Sequence, residues 1–298
     1  MTEAPETPRF PSVDDAVSAL LGEGARLRSR TPVGGGCINA CAKLTFEDGR
    51  SLFLKENGAN FPGMFAAEAK GLRALRCPEG PRVPEALAWG ENEKGQFLVM
   101  EWIPAGKAPR GWAENFGRAL ARLHARPMPF WGFPGDNYIG STPQINARAD
   151  DWTGFFAEHR LGYQVRLARS RGLLDSRTAL RAERVMARLP NWLSGAADYP
   201  SVVHGDLWSG NLMVGPGGEA VIVDPACYFG HRETDLAMTE LFGRMEEGFY
   251  KAYDEILPRP PGYPERREIY NLYHLLNHLN LFGASYRSGV EEILDAFA

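Results

Sequence analysis

The sequence lacks the features of several common classes of protein. It contains only four cysteines in 298 residues, and no two of them form a CxxC pair. No stretch approaches the roughly 18 uncharged apolar residues that a membrane-spanning helix requires, and no secretion signal is recognisable. These absences argue against a disulfide framework and against a membrane protein, and they predict a protein of the reducing cytoplasm.

The chain also lacks any long block of positive charge. Its formal net charge is −4, from 37 acidic and 33 basic residues. Local basic runs such as residues 177–188 carry apolar residues at helical spacing, which indicates a solvated helix face. We therefore expect neither nucleic acid nor an anionic membrane as the main partner.

The most informative stretch is H-G-D-L-W-S-G-N at residues 204–211, which is followed by V-I-V-D-P at 221–225. Asp206 and Asn211 are five residues apart, and Asp224 follows thirteen residues later. This spacing is typical of phosphoryl transfer, in which one carboxylate accepts the proton of the acceptor hydroxyl while an amide and a second carboxylate bind Mg²⁺. We predict Asp206 as the catalytic base and Asn211 and Asp224 as the metal ligands.

The first part of the chain predicts a nucleotide site. Gly34, Gly35 and Gly36 lie between two predicted strands, where exposed backbone N–H groups suit a phosphate, although an ordinary hairpin loop is the alternative. Lys55 ends the returning strand, and Glu68 follows thirteen residues later in a helical pattern. A kinase keeps a lysine at this place for the nucleotide phosphates and a glutamate to hold it. The order of these groups favours that role over two unrelated surface charges.

An apolar strand that ends at Ile103 runs into a Pro-Ala-Gly break. In a kinase this connector joins the two lobes, and its backbone contacts the adenine edge of the nucleotide. Met100, Glu101 and Ile103 are therefore candidates for nucleotide binding. The alternative is an ordinary buried strand with a polar end.

These patterns predict an α+β, two-lobed, protein-kinase-like fold. We expect a small β-rich lobe for the nucleotide over residues 1–103, of which 1–11 form a loose tail with three prolines. A larger, mainly helical lobe over 104–298 is expected to hold the catalytic and substrate groups. Apolar periodicity predicts helices after Ser12 and at 64–75, 112–124, 151–170, 176–193 and 264–283, with strands at 38–46, 51–55, 83–89 and 96–103.

Departures from the protein-kinase pattern concern the acceptor. Trp208 stands where protein kinases have lysine, Pro225 follows the metal aspartate in place of phenylalanine, and no A-P-E segment is present. These features indicate a small-molecule kinase in which Trp208 forms an aromatic wall near a sugar. An aromatic loop at 130–140 contains Asp136 and Asn137, which are candidates for a polar substrate; a packed surface loop is the alternative.

Two further features lie in the helical part of the chain. His274 and His278 are four residues apart, the spacing of a two-histidine metal site. No glutamate follows His274 and no third ligand is evident, so a buried pair or a pocket wall is favoured, and His278 is a candidate substrate contact. Asp235 is expected to brace the catalytic loop, whereas His124 is given little functional weight.

Five segments of the sequence resemble the fructosamine kinase (ketosamine-3-kinase) family, which is related to the aminoglycoside phosphotransferases. They are G-G-G-C-I-N at 34–39, D-N-Y-I-G-S-T-P-Q at 136–144, H-G-D-L-W-S-G-N at 204–211, D-P-A-C-Y-F-G-H-R-E at 224–233 and Y-N-L-Y-H-L-L-N-H-L-N-L-F-G at 270–283. The resemblance runs from about residue 10 to the end of the chain. A small departure is Phe229, which stands where tyrosine is common.

The resemblance implies an ATP- and Mg²⁺-dependent kinase for the 3-hydroxyl of ketosamines, the Amadori adducts of sugars on amines. Phosphorylation destabilises the adduct and frees the amine, which is a deglycation repair. By the same resemblance, Asp206 is the base, Trp208 contacts the substrate, and Asn211 and Asp224 hold the metal.

Alternatives stay open at this point. A kinase for an aminoglycoside, choline or another amino alcohol shares the His-Gly-Asp loop, but Trp208 and the segment 230–233 speak against it. A catalytically silent kinase-like binding protein is a second alternative, which the complete set of catalytic groups opposes. Cys37 lies in the glycine loop, where it either fills a tight turn or forms an intermolecular disulfide. We therefore expect a monomer or a redox-linked dimer.

Overall fold

The computed structural model describes residues 6–34 and 38–298. Its first part is one antiparallel sheet in which the strands lie in the order β1-β2-β3-β5-β4. The strands are β1 (Leu27–Pro32), β2 (Ala40–Phe46), β3 (Ser51–Asn57), β4 (Ala86–Asn92) and β5 (Gly95–Glu101). The predicted strand at 83–89 begins three residues later than expected, and the predicted strand at 96–103 ends two residues earlier.

A helix packs on each face of this sheet. Helix α1 (Val13–Leu21) begins at the predicted cap, where Ser12 accepts a hydrogen bond from the backbone N–H of Asp15. It covers a small apolar cluster that contains Leu44, Leu54 and Val99. Helix α2 (Met64–Leu75) covers the opposite face, and its apolar residues join the main core of the protein. Strand β5 is therefore buried on both faces, as its apolar sequence requires, whereas β1 at the edge of the sheet is exposed.

Residues 7–11 differ from the loose tail that their prolines suggested. They run beside β4, where the N–H of Phe10 donates to Trp89 O at 2.8 Å and the N–H of Trp89 donates to Pro8 O at 3.1 Å. Proline lacks a backbone donor, but the residues between the prolines still pair with the edge of the sheet. The prediction was wrong for this segment.

The second part of the chain is mainly helical. Its helices are α3 (Trp112–His124), α4 (Trp152–Phe155), α5 (Tyr163–Ser170), α6 (Ser176–Arg188), α7 (Pro190–Leu193), α8 (Glu233–Leu241), α9 (Glu247–Asp254), α10 (Tyr263–Phe282) and α11 (Arg287–Phe297). The predicted helix at 151–170 contains a π-helical segment over Phe156–Gly162, and the one at 176–193 divides at Pro190. Helix α10 is buried along most of its length, as its apolar pattern predicted.

Short strands carry the central motif. They are β6 (Asn137–Ile139), β7 (Thr142–Gln144), β8 (Ser201–Val203), β9 (Leu212–Val214), β10 (Ala220–Ile222) and β11 (Tyr228–Gly230). Strand β8 pairs with β11, and β9 pairs with β10 in a hairpin. Because Asp206 follows β8 and Asp224 follows β10, both carboxylates emerge from the ends of buried strands.

Helix α2 approaches the segment after Asp224 closely. Gly71 lies one turn after Glu68, and a Cβ added at Gly71 would lie 3.0 Å from the Cβ of Cys227. A side chain at this position would press the helix away from that segment. Among the described residues, no helix is both long and apolar enough to span a bilayer.

Candidate active site

Lys55 lies in the middle of the small-lobe sheet, between Cys41 of β2 and Leu98 of β5. Its Nζ donates to Oε1 of Glu68 at 2.5 Å and to Oδ1 of Asp224 at 2.6 Å. Burial lowers the pKa of Lys55, but the carboxylates of Asp224 and Glu68 outweigh this effect and raise it overall. The ammonium group therefore stays charged and connects the two lobes.

Asp235 supports the loop that precedes Asp206. Its carboxylate accepts hydrogen bonds from the backbone N–H of His204 at 2.7 Å and of Gly205 at 2.8 Å. Nε2 of His124 lies 3.2 Å from the same carboxylate, and Nδ1 of His124 lies 2.9 Å from the hydroxyl of Tyr253. The predicted brace by Asp235 is confirmed, and His124 contributes more to it than the sequence suggested.

His204 joins this loop to the strand before Asp224. Its Nε2 donates to the carbonyl of Val223 at 2.8 Å, and its Nδ1 accepts from the N–H of Asp206 at 3.3 Å. An imidazole that donates at one nitrogen and accepts at the other is neutral. Burial lowers the pKa of His204 in agreement with that state.

Asp206 and Asn211 face each other across the loop. Nδ2 of Asn211 donates to the backbone carbonyl of Asp206 at 2.9 Å and to its Oδ2 at 3.0 Å. Burial raises the pKa of Asp206 to about 7, and the nearby Asp224 adds to that effect while the hydrogen bond from Asn211 opposes it. A carboxylate with a raised pKa in a cleft is suited to proton transfer at neutral pH.

Asp224 has an unusual backbone. Its φ is 56°, and it is the only non-glycine among the described residues with a positive φ. Such a conformation costs on the order of 1–3 kcal/mol and persists only where the surroundings enforce it. Here it turns the carboxylate into the cleft towards Lys55.

The donor atoms in this cleft suit a hard divalent cation. Nδ2 of Asn211 is turned to Asp206, which leaves its amide oxygen free to act as a ligand. Asp224 uses Oδ1 for Lys55, and its side chain is still 42% exposed. Carboxylate and amide oxygens are the ligands that Mg²⁺ accepts, so Asn211 and Asp224 could hold it.

Trp208 lies at the mouth of the same cleft, with about a third of its surface exposed. Its ring packs edge-on against Phe242 at a centroid distance of 6.3 Å. A Cβ on Gly210 would lie 2.3 Å from the indole, so this glycine leaves the room in which the ring lies. Sequence reasoning missed both Gly210 and Phe242, which carry no signal of their own.

His278 also lines this cleft. Its ring packs against Phe242 at 4.7 Å, and its Nδ1 donates to the carbonyl of His274 at 2.8 Å. Burial lowers the pKa of His278 and so favours the neutral ring. A neutral ring that donates at Nδ1 presents Nε2 as an acceptor. In the described part of the chain, no group of three His, Cys, Asp or Glu residues is arranged to hold a metal ion.

The side chains of Asn137 and Asp136, unlike that of Trp208, form hydrogen bonds within the protein. Asn137 borders the cleft, but its Nδ2 donates to Cys227 O at 2.7 Å, and its Oδ1 accepts from Gln144 and Asn146. Asp136 is exposed, and its Oδ1 accepts from the N–H of Asn146 at 2.7 Å. The structure does not place Asp136 in the cleft lining.

The predicted adenine-binding residues lie at the connector. Met100 and Ile103 are buried, while the carboxylate of Glu101 accepts from Arg82 and from the N–H of Glu85, both at 3.0 Å. None of Met100, Glu101 and Ile103 lines the cleft around Lys55 and Asp206.

Only part of the predicted phosphate loop belongs to the described ranges. Gly34 is exposed at its start. Gly35, Gly36 and Cys37 lie outside the described residues.

The fold is that of the protein-kinase-like phosphotransferases. An aminoglycoside phosphotransferase, solved with AMP-PNP and hygromycin B, matches it with a TM-score of 0.65. The match covers 96% of this chain and 99% of that one at 16% identity. A likeness at that identity concerns the fold alone, and it confirms the predicted two-lobed α+β architecture.

The family is defined by closer relatives. The fructosamine kinase family model matches residues 9–298, and the chain therefore belongs to the fructosamine kinase family. A probable ketoamine kinase of Synechocystis sp. is 42% identical over 285 residues, which cover 95% of each chain. A chloroplastic protein-ribulosamine 3-kinase of Oryza sativa subsp. japonica is 42% identical over 93% of this chain and 80% of its own.

A solved structure agrees with this assignment. A Thermobifida fusca protein, described as a putative fructosamine-3-kinase, matches with a TM-score of 0.84 at 34% identity, over 96% of this chain and 98% of its own.

Proposed function

We propose that this protein is an ATP-dependent kinase that phosphorylates the 3-hydroxyl of ketosamines. The observation that carries the proposal is the meeting of Lys55, Asp206 and Asp224 in one cleft with Trp208 at its mouth, in a chain of this family. A phosphoryl-transfer site needs a cation at the phosphates, a carboxylate at the acceptor and oxygen ligands for a metal. The cleft offers each of these.

In the proposed mechanism, Asp206 orients the 3-hydroxyl and accepts its proton as the new O–P bond forms. The bond between the γ-phosphorus and the β,γ-bridging oxygen of ATP breaks in the same step, and ADP leaves. Lys55 contacts the phosphates and is held in place by Glu68. A divalent cation held by Asn211 and Asp224 would neutralise the charge that develops on the transferred group. Gly34, Gly35 and Gly36 are the proposed phosphate-binding residues, and Met100, Glu101 and Ile103 are the proposed adenine-binding residues.

At the acceptor end, we assign Trp208 as a wall for the apolar face of the sugar, and His278 as a hydrogen-bond acceptor beside it. Asn137 and Asp136 support the surrounding backbone, since their side chains already bond within the protein. The lobes divide near residue 103, and the enzyme acts in the cytoplasm as a monomer or a redox-linked dimer.

The proposal is tested with a substrate panel and ATP consumption as the readout. The panel contains fructose, ribulose and erythrulose adducts of a small amine and of lysine, together with an aminoglycoside and choline. We expect turnover with at least one ketosamine, a 3-phosphorylated product and subsequent release of the amine.

The panel also separates the alternatives. Preferred turnover of the aminoglycoside or of choline would contradict the proposed acceptor. If Mg·ATP neither is consumed nor shifts the thermal stability, the protein is a silent binding protein.

A further inference from the structure

The backbone immediately after Asp224 is held by side chains from elsewhere in the chain. Nε2 of Gln144 donates to Ala226 O at 3.0 Å, and Nδ2 of Asn137 donates to Cys227 O at 2.7 Å. The two donors lie on β6 and β7, more than 80 residues away in the sequence. The hydrogen bonds to these two carbonyl groups therefore fix the backbone that follows Asp224.

The donors also fix one another. Nε2 of Gln144 and Nδ2 of Asn146 each donate to Oδ1 of Asn137 at 2.8 Å. The hydroxyl of Tyr273 donates to Oε1 of Gln144 at 2.6 Å. We call Asn137, Gln144 and Asn146 the amide cluster. All three side chains are buried, so a change at any one of them leaves a polar partner unpaired.

Arg160 sets the direction of this cluster. It is fully buried in the π-helical segment, and it donates to Ile145 O and to Oδ1 of Asn146, both at 2.7 Å. Its guanidinium carbon lies 4.0 Å from the centroid of the Tyr228 ring. No carboxylate in the described ranges forms an ion pair with it. Because a guanidinium can only donate, it forces the oxygen of Asn146 towards itself and the amide nitrogen towards Asn137.

The held segment also touches the loop of Asp206. A Cβ on Gly205, whose φ is 81°, would lie 2.1 Å from Ala226 O. The carbonyl that Gln144 holds therefore packs directly on the residue before Asp206. Any displacement of Ala226 would change the separation between the Asp206 loop and the Asp224 turn.

We propose that Gln144, Asn146 and Arg160 are positioning residues that hold Asp224 in its strained conformation at a fixed distance from Asp206. This proposal rests on the proposed function, which assigns Asp206 and Asp224 to phosphoryl transfer.

The test replaces Gln144 by methionine, which keeps the length of the side chain but removes its three hydrogen bonds. Two properties are measured that do not depend on the ketosamine: the affinity for Mg·ADP, and hydrogen exchange of the backbone amides within 224–228 in the free enzyme, where Pro225 has none. We expect the affinity for Mg·ADP to fall about 10- to 100-fold, as when an outer support of a metal ligand is lost. We also expect exchange at 224–228 to become faster.

Thr239→Val is the matched control. Thr239 is buried on α8, and its replacement by valine removes the hydrogen bonds to Leu236 O and to the Tyr250 hydroxyl. It should lose stability without either change at the site. If Gln144→Met does not fold, Tyr273→Phe removes the bond to Oε1 of Gln144 and keeps both bonds that Nε2 of Gln144 donates. The same two effects are then expected at smaller size.

The positioning role is overturned if the folded Gln144 or Tyr273 variant matches Thr239→Val in both Mg·ADP affinity and exchange. Failure of the proposed function would look different. In that case the wild-type protein would phosphorylate no ketosamine, while the effect of Gln144→Met on exchange would remain. The effect on Mg·ADP affinity would remain as well if the protein is a kinase for another acceptor.

Discussion

Lys55 and Asp206 face the same cleft from different lobes, and they are held there in different ways. Lys55 is held by charge, between one carboxylate of its own lobe and one of the other lobe. Asp206 follows a loop whose backbone N–H groups donate to Asp235. The first arrangement joins two lobes, whereas the second lies within one.

The difference indicates which side of the site is already formed before a ligand binds. A bound divalent cation would compete with Lys55 for Asp224, so this ion pair is replaceable. Hydrogen bonds to backbone N–H groups in a buried loop have no such competitor. We therefore expect the acceptor side to be complete in the free protein, and the nucleotide side to be completed by its ligand.

The largest effect is expected for Asp206→Asn, which removes the proposed base from the acceptor side of the site. Turnover should fall by about 1,000-fold or more, while the affinity for Mg·ADP stays within about twofold. Steady-state kinetics measures the turnover, and calorimetric titration measures the affinity for Mg·ADP. Retained turnover would overturn the assignment of the base.

Asp235→Ala tests whether hydrogen bonds hold this side. It leaves the N–H groups of His204 and Gly205 without their acceptor, and it should lower the free energy of unfolding by about 3 kcal/mol. Glu68→Gln is the matched change in the other lobe, and it should cost about 1 kcal/mol because Lys55 keeps Asp224. Urea unfolding measures the loss of unfolding free energy in both variants. A larger loss for Glu68→Gln than for Asp235→Ala would contradict the difference that we infer between the lobes.

Lys55→Met tests the side that is held by charge. We expect KM for Mg·ATP to rise about 10- to 100-fold, because a charge-assisted contact with the phosphates is lost. KM for the ketosamine should change little. Lys43→Met is the control, since Lys43 lies on the neighbouring strand with its Nζ 4.7 Å from the Trp102 ring. Equal effects of the two changes would remove Lys55 from the nucleotide site.

The smallest effect is expected for Trp208→Leu, at the mouth of the cleft. The loss of ring contact should raise KM for the ketosamine about fivefold and leave KM for Mg·ATP unchanged. Trp192→Leu, on a helix where that ring packs against Phe297, serves as the control. A rise in KM for Mg·ATP alone would place Trp208 on the wrong side of the site.

Much of the site could be predicted because its residues lie at fixed spacings in the chain. The ion pair of Lys55 and Glu68 follows from a strand and a helix in sequence, and the brace by Asp235 from its place at the start of α8. In each case the local structure was readable from periodicity and turn residues. The position of a charged group along such an element then indicates its partner.

The amide cluster could not be predicted in the same way. Gln144 and Tyr273 are 129 residues apart, and buried amides have the same composition as amides in a surface loop. Arg160 lies in a helical pattern with no sign that its charge is buried. The pairing of residues 7–11 with β4 was hidden for a similar reason, because backbone hydrogen bonds leave no trace in side-chain composition.

The close contact at Gly71 has a consequence for how such an enzyme is controlled. Kinases that are switched on and off commonly do so by moving the helix that carries the glutamate partner of the lysine. Here that helix lies against Cys227 with no side chain between them, and its glutamate already holds Lys55. We therefore expect no activation step that moves this helix. The output of the enzyme is then expected to follow the amount of protein made and the supply of damaged amines.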